Sequence, residues 1–149
     1  MYPILLDLTN RPILVVGGGK VASRKINQLL ENNAKVTVIS PYLSQEINKK
    51  QINWICKTYQ PSDSLGYDLI FACTDNETLN EEIYNKSNSG QFVNNASNKH
   101  KSDFYNMKVI KSGDYLFSVS SLGENYKHTK RIGNNLKKWL DKNLTELLK

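Results

Sequence analysis

Residues Ile13–Lys25 read ILVVGGGKVASRK, and the spacing of Gly17, Gly19 and Ala22 satisfies a G-x-G-x-x-[GA] pattern. Between a buried strand and a helix, the first glycine permits a tight turn and the second lets a pyrophosphate approach the backbone. The small third residue lets helix and strand pack closely. The unpaired N–H groups and the dipole of the following helix would supply an anion site. The chemistry on offer is dinucleotide binding; a tight turn that binds no nucleotide is the competing reading. The acidic residue that usually holds the ribose hydroxyls at the end of the second strand is missing, because the chain reads VISPY there. That leaves the Ser40 hydroxyl and backbone groups for the ribose, and there is no arginine to favour a 2′-phosphate.

Few other residues suggest chemistry by type and spacing. Cys56 and Cys73 fall in strand-like runs and read as buried, reduced thiols of a cytoplasmic protein, with a disulfide or metal pair as the alternative. His100 and His128 stand isolated, without a ligand-spaced partner, so no side-chain metal site is expected.

The elements that would position these residues follow from apolar periodicity. PILVVG (12–17), KVTVIS (35–40), INWICKTY (52–59), YDLIFACT (67–74) and GQFVNNAS (90–97) read as strands, several apolar enough to be buried on both faces. Val21, Ile26, Leu29 and Leu30 give a helical stripe ending at asparagines able to adopt a left-handed conformation. A short helix is expected at 41–50. A further helix is expected at 76–89, capped by Asp75 or Thr74. This alternation predicts an α/β fold, a Rossmann-like parallel sheet. Beyond residue 100 the pattern changes to two alternating runs around Ser112–Asp114, a hairpin, and then a basic amphipathic helix from about Asn125 to Leu148. The expected division is a nucleotide-binding unit over 1–103 and a hairpin-plus-helix segment over 104–149.

Composition narrows the class. The 149 residues are 39% hydrophobic and 23% charged, which suits a globular chain. No apolar run approaches the roughly 20 residues that span a bilayer. The N-terminus has neither a basic region nor a small-residue cleavage site, so no signal peptide is expected. The net charge of +6 is concentrated late: residues 1–100 carry 10 basic and 9 acidic residues, and residues 101–149 carry 10 and 5. A solvated helix face, a polyanionic small molecule or nucleic acid would each account for it. The region lacks the interleaved aromatics of a nucleic-acid surface, which argues against the last.

Over residues 1–140 the chain resembles the precorrin-2 dehydrogenase domain of siroheme synthases. The resemblance is carried by YPILLDLTNRPILVVGGGKVASRKINQLLENNAKVTVISP, by ACTDNETLNEEI, by FVNNAS with SDFY after it, and by YLFSVSSLG. It implies NAD-dependent oxidation of precorrin-2 to sirohydrochlorin, with ferrous iron insertion as a second activity in some members, and a homodimer assembled through the C-terminal segment. Carried onto this chain, it puts the NAD phosphates at Gly17, Gly19, Lys20 and Val21. The adenosine falls near Ser40, Pro41 and Tyr42, and the nicotinamide end near Thr74. Given a polycarboxylate substrate, Ser120, Ser121, Lys127, Lys130 and Arg131 become candidate carboxylate ligands, with a solvated helix face as the alternative.

The chain departs from the family in three places. The loop aspartate regarded as the family's acid/base residue is Ser97 here; His100 or Asp103 could stand in for it. The Ser-Pro opening of the last helix is Asn125-Tyr126, and the family's further C-terminal helical region is not in this sequence. A relative with weakened turnover, acting as a tetrapyrrole- or NAD-binding module, is therefore the alternative to an enzyme.

Overall fold

A computed structural model describes residues 1–148. The chain divides into two compact units, Tyr2–Phe104 and the residues from Tyr105 onward.

The first unit is built on five strands: β1 (Pro12–Val16), β2 (Lys35–Ile39), β3 (Asn53–Ile55), β4 (Leu69–Ala72) and β5 (Phe92–Asn95). They form one sheet in the order β3-β2-β1-β4-β5, and every pairing is parallel. Parallel strands need crossovers, supplied here by α1 (Lys20–Leu30) after β1 and α2 (Glu77–Asn85) after β4. Alternate residues of the central strands feed two separate cores. Ile13, Val15, Val36, Val38 and Phe71 pack with Ala22, Ile26 and Leu29 of α1. Leu14, Val16, Ile39, Ile70 and Val93 pack with Ile83 of α2. Burial on both faces is the reason these strands read as unbroken apolar runs. The expected Rossmann-like sheet is the observed one. α1 closes as expected, with Asn33 in the left-handed region at φ +56°.

Several local expectations need correction. Residues 41–50 form no α-helix, only a 3-10 turn at Lys49–Gln51. Pro41 opens this segment, the Ser44 N–H is bonded to the Gly18 carbonyl at 2.7 Å, and Asn48 caps the turn by accepting from Lys50. The third strand stops at Ile55, where Lys57 N–H folds back on the Ile55 carbonyl at 3.0 Å, so Cys56 lies beyond the strand and is exposed rather than buried. α2 stops at Asn85 rather than 89, because the Ser87 hydroxyl donates to the Tyr84 carbonyl and the Gln91 side chain accepts from Asn88 N–H, both competing for the backbone there. Its cap is Asn76, which accepts from Leu79 N–H at 3.0 Å, and not Asp75 or Thr74.

The second unit is the antiparallel hairpin β6 (Lys108–Ser112) and β7 (Tyr115–Val119) followed by α3 (Tyr126–Leu147). Gly113, at φ +55°, opens the two-residue turn between the strands. α3 packs on β6, and Gly133 lets it approach: a Cβ there would overlap the Lys108 side chain. Asn125 caps α3 by accepting from His128 N–H at 2.9 Å.

Candidate active site

The strand order reverses between β1 and β4, and ligands of open α/β sheets bind beyond the strand ends at such a point. Register brings the ends level: Val16 lies opposite Ile39 on one side and Ala72 on the other. The ladder runs one residue past them, Gly17 N–H bonding the Ile39 carbonyl at 2.9 Å and Cys73 N–H the Val16 carbonyl at 2.8 Å. A crevice of about 320 Å³ opens at this edge, within the range of small-molecule sites.

All eight residues carried over for the cofactor line it: Gly17, Gly19, Lys20 and Val21 in the middle, Ser40, Pro41 and Tyr42 on the β2 side, and Thr74 on the β4 side. Gly17 has φ +113°, and a Cβ there would overlap the Cys73 carbonyl, so only glycine fits. Gly19 has open space where a Cβ would be. It is the N-cap of α1 but supplies no side-chain cap, and the first turn of α1 contains no acidic residue. Of the three α-helices among the described residues, α1 alone begins without a side-chain cap. Its first N–H groups are left for an anion.

Gly18 fills an unassigned position of the motif, yet it is the most crowded of the three. A Cβ there would overlap the Tyr42 carbonyl and crowd Ser40 Oγ. Segment 40–44 lies directly across the glycine turn, held by the Ser44–Gly18 bond. Sequence reasoning missed Gly18; the run of three glycines was the available signal. It also missed Thr58, Tyr59 and Leu79, which line the crevice from segments without any motif. Tyr59 is buried, bonds Ser64 Oγ at 2.7 Å, and is held neutral by a pKa raised chiefly through burial. Cys73, in the crevice floor, has its thiol pushed up to about 11 by burial, against the pull of the Lys25 ammonium. Lys25 is lowered in turn, mainly by its own burial; its ammonium sits 5.8 Å from the Phe71 ring centre.

The candidate acid/base residues all follow β5 and are differently engaged. Ser97 Oγ donates to Asn95 Oδ1 at 2.7 Å and accepts from Asn80 Nδ2 at 3.2 Å. Asp103 clamps the β5 edge, its Oδ2 accepting from Val93 N–H at 2.7 Å. His100 is exposed in the 3-10 turn Lys99–Lys101. In the second unit, Ser120 and Ser121 fold the turn before α3, accepting from Leu122 N–H and Asn125 N–H. Lys127, Lys130 and Arg131 are exposed on its first two turns.

Sheet order, reversal point and uncapped glycine turn together define a Rossmann-type NAD(P)-binding protein, and an NAD(P)-binding family model matches residues 4–107. The chain is 32% identical to the precorrin-2 dehydrogenase of Bacillus subtilis over 145 residues, 95% of this chain and 90% of the relative. The siroheme synthase of Mannheimia succiniciproducens is 35% identical over 127 residues, 82% of this chain but 27% of the longer relative. Among solved structures, the precorrin-2 dehydrogenase SirC superposes with a TM-score of 0.85 at 32% identity, covering 98% of this chain and 74% of that one. The chain belongs to the precorrin-2 dehydrogenase family.

Proposed function

We propose that this protein oxidises precorrin-2 to sirohydrochlorin with NAD as hydride acceptor. The observation that carries the reading is the uncapped glycine turn at the sheet's reversal point, in a chain with a precorrin-2 dehydrogenase as a near full-length relative. The backbone of Gly17, Gly19, Lys20 and Val21 holds the pyrophosphate. Ser40, Pro41 and Tyr42 flank the adenosine, and Thr74 meets the nicotinamide end. NAD is preferred to NADP because residues 40–42 offer no cation to a 2′-phosphate, and the Ser40 side chain faces Gly18. When bound, the nicotinamide supplies the hydride chemistry, so the protein's task is orientation and management of one proton.

The unit from Tyr105 onward serves the substrate and dimerisation. Lys127, Lys130 and Arg131, with Ser120 and Ser121, meet the carboxylates of precorrin-2. Exposed Val109, Tyr115, Leu116, Ile132 and Trp139 supply apolar surface for a homodimer. No helix among the described residues is long and apolar enough to cross a membrane, and free Cys56 and Cys73 accord with the cytoplasm. Ferrous iron would be a substrate of a second step, chelated by sirohydrochlorin's own nitrogens.

One observation favours a second reading, a binding module with weakened turnover: Ser97 stands where the family resemblance places a carboxylate, and its proton is already given to Asn95. A serine hydroxyl is a poor base near neutrality. His100, exposed beside it in sequence, is the stand-in for the proton, and Asp103 the next. Anaerobic turnover of precorrin-2 with NAD, followed at the sirohydrochlorin absorption, decides between the readings when paired with calorimetric titration of NAD and sirohydrochlorin. Binding without turnover supports the module; turnover supports the enzyme, and failure to bind either ligand removes both. Added ferrous iron in the same assay tests chelation.

A further inference from the structure

Asn80 of α2 is fully buried, a position a carboxamide tolerates only when its polar atoms are satisfied. Its Oδ1 accepts from Thr74 N–H at 3.1 Å, and its Nδ2 donates to the Thr74 carbonyl at 3.0 Å. A backbone N–H can only donate and a carbonyl only accept, so this pincer fixes which end of the amide is oxygen. Every further bond then has a forced direction. The Thr74 hydroxyl donates to Asn80 Oδ1 at 2.7 Å, with the Asn76 carbonyl at 3.0 Å as its other acceptor. Asn80 Nδ2 donates to Ser97 Oγ, whose own proton goes to Asn95 Oδ1. Asn76 N–H donates to Thr74 Oγ1 at 3.2 Å. The Thr74 hydroxyl therefore has no proton to offer a ligand, and one lone pair remains on the oxygen of a residue that lines the crevice.

We infer that Thr74 acts as a hydrogen-bond acceptor toward the nicotinamide-riboside half of the cofactor, and that Asn80 is the positioning residue that fixes it in that role. The ligand group it selects is a donor, a carboxamide N–H or a ribose hydroxyl. The inference rests on the dinucleotide reading above and adds to it a polarity that the glycine turn does not carry. Without Asn80 the Thr74 backbone loses both bonds that hold it and its hydroxyl keeps only the Asn76 carbonyl as an acceptor for its proton; with it, a ligand presenting only a carbonyl at this point is disfavoured.

The test is calorimetric titration of the full chain with NAD and with ADP, which shares the adenosine and pyrophosphate but lacks the nicotinamide riboside. Thr74→Val should weaken NAD by roughly 3- to 10-fold, the worth of one neutral hydrogen bond, and leave ADP unchanged. Thr74→Ser should leave both unchanged. Asn80→Ala should weaken NAD but not ADP, a selectivity that a general loss of packing would not produce. The analogue with an acetyl group in place of the carboxamide locates the donor. Weaker binding than NAD in wild type but not in Thr74→Val assigns it to the carboxamide; equal binding assigns it to the ribose. Unchanged NAD affinity in Thr74→Val, or equal weakening of NAD and ADP by Asn80→Ala, overturns the inference. If Asn80→Ala does not fold, the two Thr74 variants decide. Wild type binding neither ligand would instead overturn the dinucleotide reading itself.

Discussion

The turn from β1 into α1 and the turn from β4 into α2 stand side by side at the ends of neighbouring strands, one leaving its helix start uncapped and the other with its polar groups committed. The first is Gly17–Gly18–Gly19, without side chains and without a cap. The second is Thr74–Asp75–Asn76, where Asn76 caps the helix, Thr74 bonds Asn76, and Asn80 grips the Thr74 backbone. The difference teaches what each can recognise. Uncapped N–H groups at a helix start suit a diffuse anionic charge. A hydroxyl whose proton is already assigned suits one donor in one direction.

The largest expected effect lies on the committed side. Ser97→Asp places a carboxylate within reach of Asn80 Nδ2 and should raise precorrin-2 oxidation by about 10²–10⁴-fold, the range of a general acid/base. NAD affinity should change little, and steady-state kinetics beside calorimetry would separate the two. An unchanged rate would mean that the loop carboxylate is not needed here. On the open side, Gly17→Asp should lower NAD affinity by about 100-fold or more, through a forced positive φ, overlap with Cys73 and repulsion of the pyrophosphate. It should also lower the melting temperature. Gly19→Ala is the cleaner probe, because beyond its chain neighbours nothing lies within 4 Å of the added Cβ. It should weaken NAD by about tenfold with no loss in melting temperature; equal affinity would remove the pyrophosphate from this position.

Two smaller effects sharpen the contrast. Asn76→Ala removes a helix cap and should cost about 1 kcal/mol in denaturant unfolding while NAD affinity holds. The same loss of affinity as Gly19→Ala would mean that the two turns are not independent. Cys73, the floor between them, should resist alkylation at pH 8 in the folded chain while exposed Cys56 reacts. Its thiol is raised to about 11 from an ordinary 9. The unfolded chain therefore loses this proton first, and the stability held below pH 9 is lost as pH rises toward 11. Melting curves of wild type and Cys73→Ala should converge across that window.

Much of this was legible in order of residues alone. Apolar runs buried on both faces announce a parallel sheet, and glycine spacing after the first run marks the anion turn, because both signals are local in sequence. The expected helix at 41–50 failed for a non-local reason: Ser44 N–H finds the Gly18 carbonyl and the segment is laid across the glycine turn instead. Residues 97, 100 and 103 look equivalent as neighbours in a loop, yet Asp103 clamps β5, Ser97 joins the Asn80 chain, and His100 stays exposed.

The sequence by itself determined the strand–helix alternation, the glycine turn and the change of pattern after residue 100, since periodicity and backbone freedom are properties of neighbouring residues. Only the tertiary structure decided which way the Thr74 proton points and why Gly18 must be glycine. Those depend on atoms from α2 and from segment 40–44, brought to the sheet edge by packing, and a hydrogen bond's direction is set by the partner that has no choice.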